Sequence, residues 1–168
     1  MDTQTSRLEG ILQRLRARGF RITPQRLAIV RLALADARHP SVEELYESIR
    51  RDFPTTSLAT VYKTLTLLRE MGEVNVVDGC QGVAHYDGLD PSPHAHLICL
   101  RCGRIADLAL PALDSLRQTV AQGLVGWKLS QGPNFYGVCP RCRGQEPAGE
   151  AKDHLVDDPS VTRGRANE

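Results

Sequence analysis

A chain of 168 residues, 41% hydrophobic and 24% charged, has room for one ordinary domain or two small ones near the lower limit of unaided folding. It holds no uncharged apolar run near the ~18 residues of a membrane span, and charges interrupt the N-terminal stretch where a secretory signal would be apolar; a cytoplasmic protein that does not cross a membrane is expected. The formal net charge of +1 is unevenly divided, with 12 Lys and Arg against 8 Asp and Glu in residues 1–72 and 9 against 12 in residues 73–168. A nucleic acid would bind on the positive half, although a solvated mixed-charge surface gives the same count.

Leu8, Ile11, Leu12 and Leu15 recur at helical spacing and predict a helix over residues 5–18, ended by Gly19. Thr23-Pro24 supplies an N-cap and a first-turn proline for a second helix, which carries Leu27, Ile29, Val30, Leu32 and Leu34 to about Ala37. Ser41-Val42-Glu43-Glu44 is a capping box that opens a third helix, running past Leu45 and Ile49 to Phe53-Pro54. Ser57 caps a fourth, ending near Met71-Gly72, whose Leu58, Val61, Leu65 and Leu68 form one stripe expected to face the core. The other side presents Ala59, Thr60, Lys63 and Thr66, with Tyr62 on the flank, side chains suited to a DNA groove. Leu67 also points outward on this wheel, with no local reason.

After Glu73 the period changes. Val74 to Val77, a turn at Asp78-Gly79, and Val83 to Asp87 predict a β-hairpin, and helices followed by a hairpin make a winged helix over residues 1–87. Gly88 to Pro93 are turn-formers and the candidate linker. Beyond it we expect strands near His96–Leu100 and Arg104–Asp107, a helix over Pro111–Gly123, and strands near Lys128 and Phe135–Val138, a small α/β unit over residues 94–143. The fold class is therefore α+β. Residues 144–168 are polar and rich in Gly, Pro and Asp, an expected disordered tail.

Four of the five cysteines form two C-x-x-C pairs, Cys99/Cys102 and Cys139/Cys142. Two such knuckles let four thiolates meet one Zn2+ at ~2.3 Å with no open position, so the expected site is structural, one ion per subunit. Disulfides are disfavoured in a cytosolic chain, and a redox motif by the doubling. The unpaired Cys80 is either an incidental small side chain or a redox or zinc-sensing thiol. His94 and His96 stand at period two, so on a strand they project to one face as two ligands of one metal must. His39, Asp87 and Asp107 are further candidates that spacing alone cannot bring together.

Together these residues resemble the ferric uptake regulator family. The likeness rests on Arg21-Ile22-Thr23-Pro24-Gln25-Arg26, Ala37-Arg38-His39-Pro40, Ser57-Leu58-Ala59-Thr60-Val61-Tyr62, the string from His94 through His96 and Cys99 to Cys102-Gly103, and Tyr136-Gly137-Val138-Cys139 with Cys142. It spans residues 7–143 and implies a homodimeric repressor, with a winged-helix DNA-binding domain and a C-terminal dimerisation domain, that closes on operator DNA when a regulatory metal binds. By motif position, Cys99, Cys102, Cys139 and Cys142 resemble the zinc ligands, and His39, Asp87, His94, His96 and Asp107 the regulatory ligands. Nitrogen and oxygen donors without thiolate suit Fe2+ or Mn2+. Aspartate at both carboxylate positions is similar to the peroxide-sensing branch, in which peroxide reacting at the iron oxidises a ligand histidine; His39 and His94 match. His85, two residues before Asp87, is either an extra ligand or a solvent-facing wing residue.

The resemblance places the fourth helix in the major groove of double-stranded, palindromic operator DNA, with Tyr62 and Lys63 as base contacts, Thr60 secondary, and Arg21 and Arg26 on phosphates. The alternatives are a repressor sensing iron, manganese or zinc sufficiency and, from another class, a zinc hydrolase. The hydrolase is disfavoured because no motif places a general base beside the ligands.

Overall fold

The computed structural model describes residues 3–109, 111–123 and 132–144. Four helices come first: α1 (Thr3–Ala17), α2 (Pro24–Ala35), α3 (Val42–Asp52) and α4 (Leu58–Glu70). The hairpin β1 (Asn75–Asp78) and β2 (Ala84–Asp87) follows, then β3 (Ala95–Cys99), β4 (Ile105–Leu108), α5 (Pro111–Gly123), β5 (Asn134–Gly137) and the short α6 (Pro140–Arg143).

Local chemistry sets the helix starts. The side chains of Thr23 and Ser57 accept from the amides of Arg26 and Thr60, and Ser41 and Glu44 close the expected capping box. α2 ends two residues earlier than expected, at Ala35, and is capped by Asp36, whose carboxylate accepts from the Arg38 amide and guanidinium. One core fills the helical half: Ile11 and Leu15 of α1, Ile29, Val30, Ala33 and Leu34 of α2, Leu45 and Ile49 of α3, and Val61, Leu65 and Leu68 of α4.

Two expectations for α4 need correction. Leu58, expected in the core, is 37% exposed at the first turn, outside the reach of the other helices. Leu67, expected to face outward, is half-buried against the edge of that core, and its inward neighbour is Thr64, whose hydroxyl is satisfied by the Thr60 carbonyl. Turn length differs as well, since a 3-10 turn over Cys80–Gly82 separates β1 from β2.

The wing pairs β1 antiparallel to β2, with Val76 opposite Tyr86. A second sheet has the order β4-β3-β5, β3 running antiparallel to β4 and parallel to β5. Val77 and Cys80 of the wing pack against Ile98 and Ile105 of that sheet, a small second core joining the two halves. Helices followed by a wing and then a small sheet confirm the expected α+β architecture. The strand expected near Lys128 and the tail after Gly144 fall outside the described residues. No described helix is long and apolar enough to cross a membrane.

Candidate metal centres

Cys99 ends β3, Cys102 lies in the following turn, Cys139 caps α6 and Cys142 sits within it. Because β3 and β5 are paired, with Cys99 opposite Gly137, the two knuckles meet at one end of the sheet. Their four Sγ atoms lie within 4.8 Å of one another, and those of Cys102 and Cys139 are 3.8 Å apart. Ligands ~2.3 Å from a tetrahedral zinc stand ~3.8 Å from each other, so the spacing fits the ion. Electrostatics agree. Backbone N–H groups of Cys139 and Cys102 hold the Cys99 thiol down to about 6, while hydrogen bonding with the Cys139 and Cys102 thiols pushes Cys142 up to about 12. Four thiolates this close are stable together only around a cation.

The second centre draws on both halves of the chain. His39 comes from the α2–α3 loop, Asp87 from the last position of β2, His94 from the segment before β3, His96 from β3, and Asp107 from β4 opposite it. One donor atom from each lies within 4.8 Å of every other. His39 Nε2 is 2.8 Å and His94 Nε2 3.1 Å from Asp107 Oδ1, while His94 Nε2 is 3.3 Å and His96 Nε2 3.9 Å from Asp87 Oδ2. Donors ~2.1 Å from a common ion stand about 3.0 to 4.2 Å from one another; three of these distances fall in that range and the fourth, His39 Nε2 to Asp107 Oδ1, is slightly shorter at 2.8 Å.

Several of these atoms lack any other partner. His39, Asp87 and His96 are buried, and both ring nitrogens of His39, His96 Nε2 and Asp87 Oδ2 make no hydrogen bond of acceptable geometry. Each such group costs about 1–3 kcal/mol when left unsatisfied, so the cluster is arranged for something absent from the polypeptide. His94 is oriented from outside the cluster: Nδ1–H donates to the Ser92 carbonyl at 2.9 Å, which turns Nε2 toward Asp87 and Asp107. Burial opposes a charge on His94, but the Ser92 carbonyl and Asp107 outweigh it and raise its pKa. Burial, helped by the neighbouring His96 imidazole, pushes His39 below its ordinary value against the pull of Asp107 and Asp87. Burial also disfavours ionised Asp87, yet the imidazoles of His96 and His39 and the Asp90 amide hold its carboxyl below the usual range. The pocket is built for a cation with nitrogen and oxygen ligands.

On α4, Tyr62 is 46% exposed and Lys63 is exposed, whereas the Thr60 hydroxyl is engaged with Ser57 Oγ at 2.9 Å. Arg21 is exposed; the Arg26 guanidinium donates to the Arg21 carbonyl and lies over the Phe20 ring, 5.7 Å from its centroid. Two side chains have roles the sequence did not indicate. His85 lies outside the five-residue cluster and is neither a ligand nor a free wing residue, because Nδ1–H donates to the His39 carbonyl at 2.7 Å. Its period-two relation to Asp87 was the available signal, and it pointed to the wrong partner. Cys80 is half-buried, with Sγ on the Cys99 carbonyl at 3.3 Å.

Comparison with known proteins follows the same lines. The profile of the ferric uptake regulator family matches residues 17–131. The peroxide operon regulator of Bacillus subtilis is 36% identical over 140 residues, covering 83% of this chain and 95% of that protein. Among solved structures, the ferric uptake regulator Fur of Helicobacter pylori, described with three functional metal-binding sites, superposes with a TM-score of 0.74 at 26% identity, covering 88% of this chain and 97% of that one. A zinc uptake regulator complexed with zinc and DNA superposes with a TM-score of 0.58 at 25% identity, covering 86% and 97%.

Proposed function

The chain belongs to the ferric uptake regulator family, and on that premise we propose that it is a metal-dependent, DNA-binding transcriptional repressor that responds to peroxide in the cytoplasm. The observation that carries the proposal is the convergence of three imidazoles and two carboxylates, with no thiolate, between the winged helix and the second sheet. We assign His39, Asp87, His94, His96 and Asp107 as ligands of regulatory Fe2+ or Mn2+, and Cys99, Cys102, Cys139 and Cys142 as ligands of one structural Zn2+ per subunit. Donor softness supports this division, thiolate for zinc and nitrogen with oxygen for the harder ions. The Bacillus subtilis relative is a peroxide operon regulator, and both carboxylates here are aspartate, which favours peroxide over metal sufficiency as the signal.

Fe2+ held by His39, Asp87, His94, His96 and Asp107 would supply the reducing electron for peroxide within reach of the ligand imidazoles. The chain's own part is to aim the Nε2 atoms of His39 and His94 at that point and to draw ligands from two units. His39 and Asp87 belong to residues 1–87, and His94, His96 and Asp107 to residues 94–143, so five-fold ligation fixes the angle across the linker of residues 88–93. Loss of one imidazole from that set would free the angle. The hydrolase alternative loses its basis with membership in a family of regulators.

On the DNA side, exposed Tyr62 and Lys63 support α4 as the major-groove helix, with Arg21 on phosphate; Thr60 and Arg26 serve there only by leaving their present partners. A relative solved in complex with zinc and DNA supports DNA binding as such. Leu97 and Phe135, paired neighbours on β3 and β5, are 46% and 42% exposed, and Leu116 and Val120 make a second exposed apolar pair one turn apart on α5. That unpartnered surface supports a homodimer, and its two-fold symmetry a palindromic operator.

The test is operator binding by zinc-loaded protein with Fe2+ or Mn2+, before and after a brief peroxide pulse, followed by mass spectrometric mapping. Loss of binding confined to the Fe2+ form, with an added oxygen on His39 or His94, is expected. Binding that survives peroxide makes the protein a metal-sufficiency repressor, and binding indifferent to metal removes the regulatory centre.

A further inference from the structure

We propose that His85 is a positioning residue that orients His39 and thereby sets the affinity of the five-residue centre for its divalent cation. The inference rests on the reading of that centre as a metal site, and adds a residue outside its ligand set.

His39 is an unusual ligand to hold in place. Its side chain is buried, and the nearest polar partner of its ring is Asp107 Oδ1, 2.8 Å from Nε2 and itself one of the five donors, while Nδ1 makes no hydrogen bond, so no hydrogen bond from outside the cluster holds the ring. Direction must therefore come from the backbone, and that backbone is strained. His39 has φ 55°, the only non-glycine positive φ among the described residues, and it immediately precedes Pro40. A proline presses the residue before it toward extended conformations, and a side-chain-bearing residue in the left-handed region persists only where its surroundings over-determine it.

The wing supplies that determination. His85 Nδ1 lies 2.7 Å from the His39 carbonyl oxygen, and since a carbonyl only accepts, Nδ1–H is the donor. The Tyr86 amide donates to the Pro40 carbonyl at 3.0 Å, and Ser41 bridges His85 as an isolated β-pair. β2 thus holds the His39–Ser41 loop much as a sheet holds an added strand, with one side chain, His85, reaching to the strained residue itself. The His85 ring is seated in turn: a Cβ at Gly79 would stand 2.5 Å from its Cδ2 and 2.8 Å from its Nε2, so glycine leaves the slot the imidazole fills. Groups that orient a metal ligand typically contribute 10- to 100-fold in metal affinity.

The experiment uses the full chain, zinc-loaded, with Mn2+ as probe in competition with a fluorescent chelator. His85→Phe keeps a ring in the Gly79 slot but removes the donor, and His85→Asn keeps an N–H donor at similar reach without the ring. His85→Phe is expected to weaken Mn2+ ~10- to 100-fold at unchanged zinc content and melting temperature, and His85→Asn to stay within about threefold of wild type. Mn2+ affinity of His85→Phe within about twofold of wild type overturns the proposal, as does equal weakening in both variants. Should His85→Phe not fold, Gly79→Ala, which expels the imidazole from its slot, is expected to show the same loss, and normal affinity there overturns the proposal. A wild-type chain that binds no Mn2+ overturns the centre and the role of His85 together, whereas wild-type binding beside an unimpaired variant overturns His85 alone.

Discussion

The four cysteines come from two short segments, residues 99–102 and 139–142, at one end of a single three-stranded sheet, while the histidines and aspartates come from a loop of the helical half, the end of the wing, and two strands beyond the linker. An ion among the cysteines cross-links elements that backbone hydrogen bonds already hold. An ion among the histidines and aspartates ties the helices and wing to the second sheet, which otherwise meet through residues 88–93, one small apolar contact and hydrogen bonds such as Cys80 Sγ to the Cys99 carbonyl and the Tyr136 hydroxyl to the Asp78 carbonyl. Identical in logic as chelation, the two centres differ in what they constrain: the first fixes a fold and the second an arrangement. Their donors differ to match, tight thiolates where exchange has no use and nitrogen with oxygen where the ion must come and go.

The largest effect tests the first half of that contrast. Cys142→Ser is expected to abolish the cooperative melting of the second unit, because structural zinc in small domains contributes on the order of 10–16 kcal/mol. Circular dichroism with zinc stoichiometry measures it, and an unchanged melt would show that the sheet stands without the ion. The next effect tests the other half. Asp87 Oδ1 accepts from the Leu89 and Asp90 amides while Oδ2 faces the imidazoles. Asp87→Asn keeps that turn and removes the buried charge, so the melt should hold while affinity for the regulatory metal falls by about 100-fold, ~3 kcal/mol. A variant that lost zinc or unfolded would mean the two centres are not separable.

How much of this was legible from sequence follows the same division. The cysteine centre was readable because each pair is local and its spacing alone implies a metal. The helices were readable through Thr23, Ser41 and Ser57, whose caps act within one turn. The five-residue centre was not derivable from spacing, since nothing in the order of His39, Asp87 and Asp107 says that a loop, a wing and a strand converge; family resemblance supplied that set. Misjudged features depend on packing at a distance. Leu58 sits on the apolar stripe but extends past the neighbouring helices, Leu67 lies off the stripe but meets the core edge, and His85 shares a strand face with Asp87 yet reaches a carbonyl 46 positions away.

A smaller change separates the centres without touching a ligand. Gly88, next to Asp87, packs so closely on α2 that an added Cβ would run into the Ala33 carbonyl, which is backbone and cannot yield. Gly88→Ala must therefore displace the chain at Asp87. We expect about tenfold weaker regulatory metal binding and ~1–3 kcal/mol lower stability of the helical half, with zinc content unaffected. Equal loss at both centres, read by parallel metal titrations, would mean that the linker also supports the cysteine site.

The smallest predicted effect concerns the start of the linker. Arg7 on α1 donates to the Gly88 carbonyl at 2.7 Å, the Leu89 carbonyl at 3.2 Å and the Glu73 carbonyl at 2.8 Å, and pairs with the Glu73 carboxylate, which also receives Arg14. One guanidinium thus ties the start of the linker to the helical half, while further along Asn75 Nδ2 of β1 donates to the Pro91 carbonyl at 2.7 Å. The Arg7 side chain is 26% exposed, so water competes only partly for its bonds, and Arg7→Ala should cost about 1–2 kcal/mol in the melt. The effect on metal is indirect. A looser linker widens the set of arrangements open to the metal-free chain, and the ion must select from more of them, so regulatory affinity should fall only about two- to fivefold. Arg7→Lys presents one compact charge where a planar fork reached three carbonyls and should restore only part of either quantity. If Arg7→Ala left regulatory affinity unchanged while lowering the melt, the tether would serve the fold alone, moving it to the same side of the comparison as the cysteines.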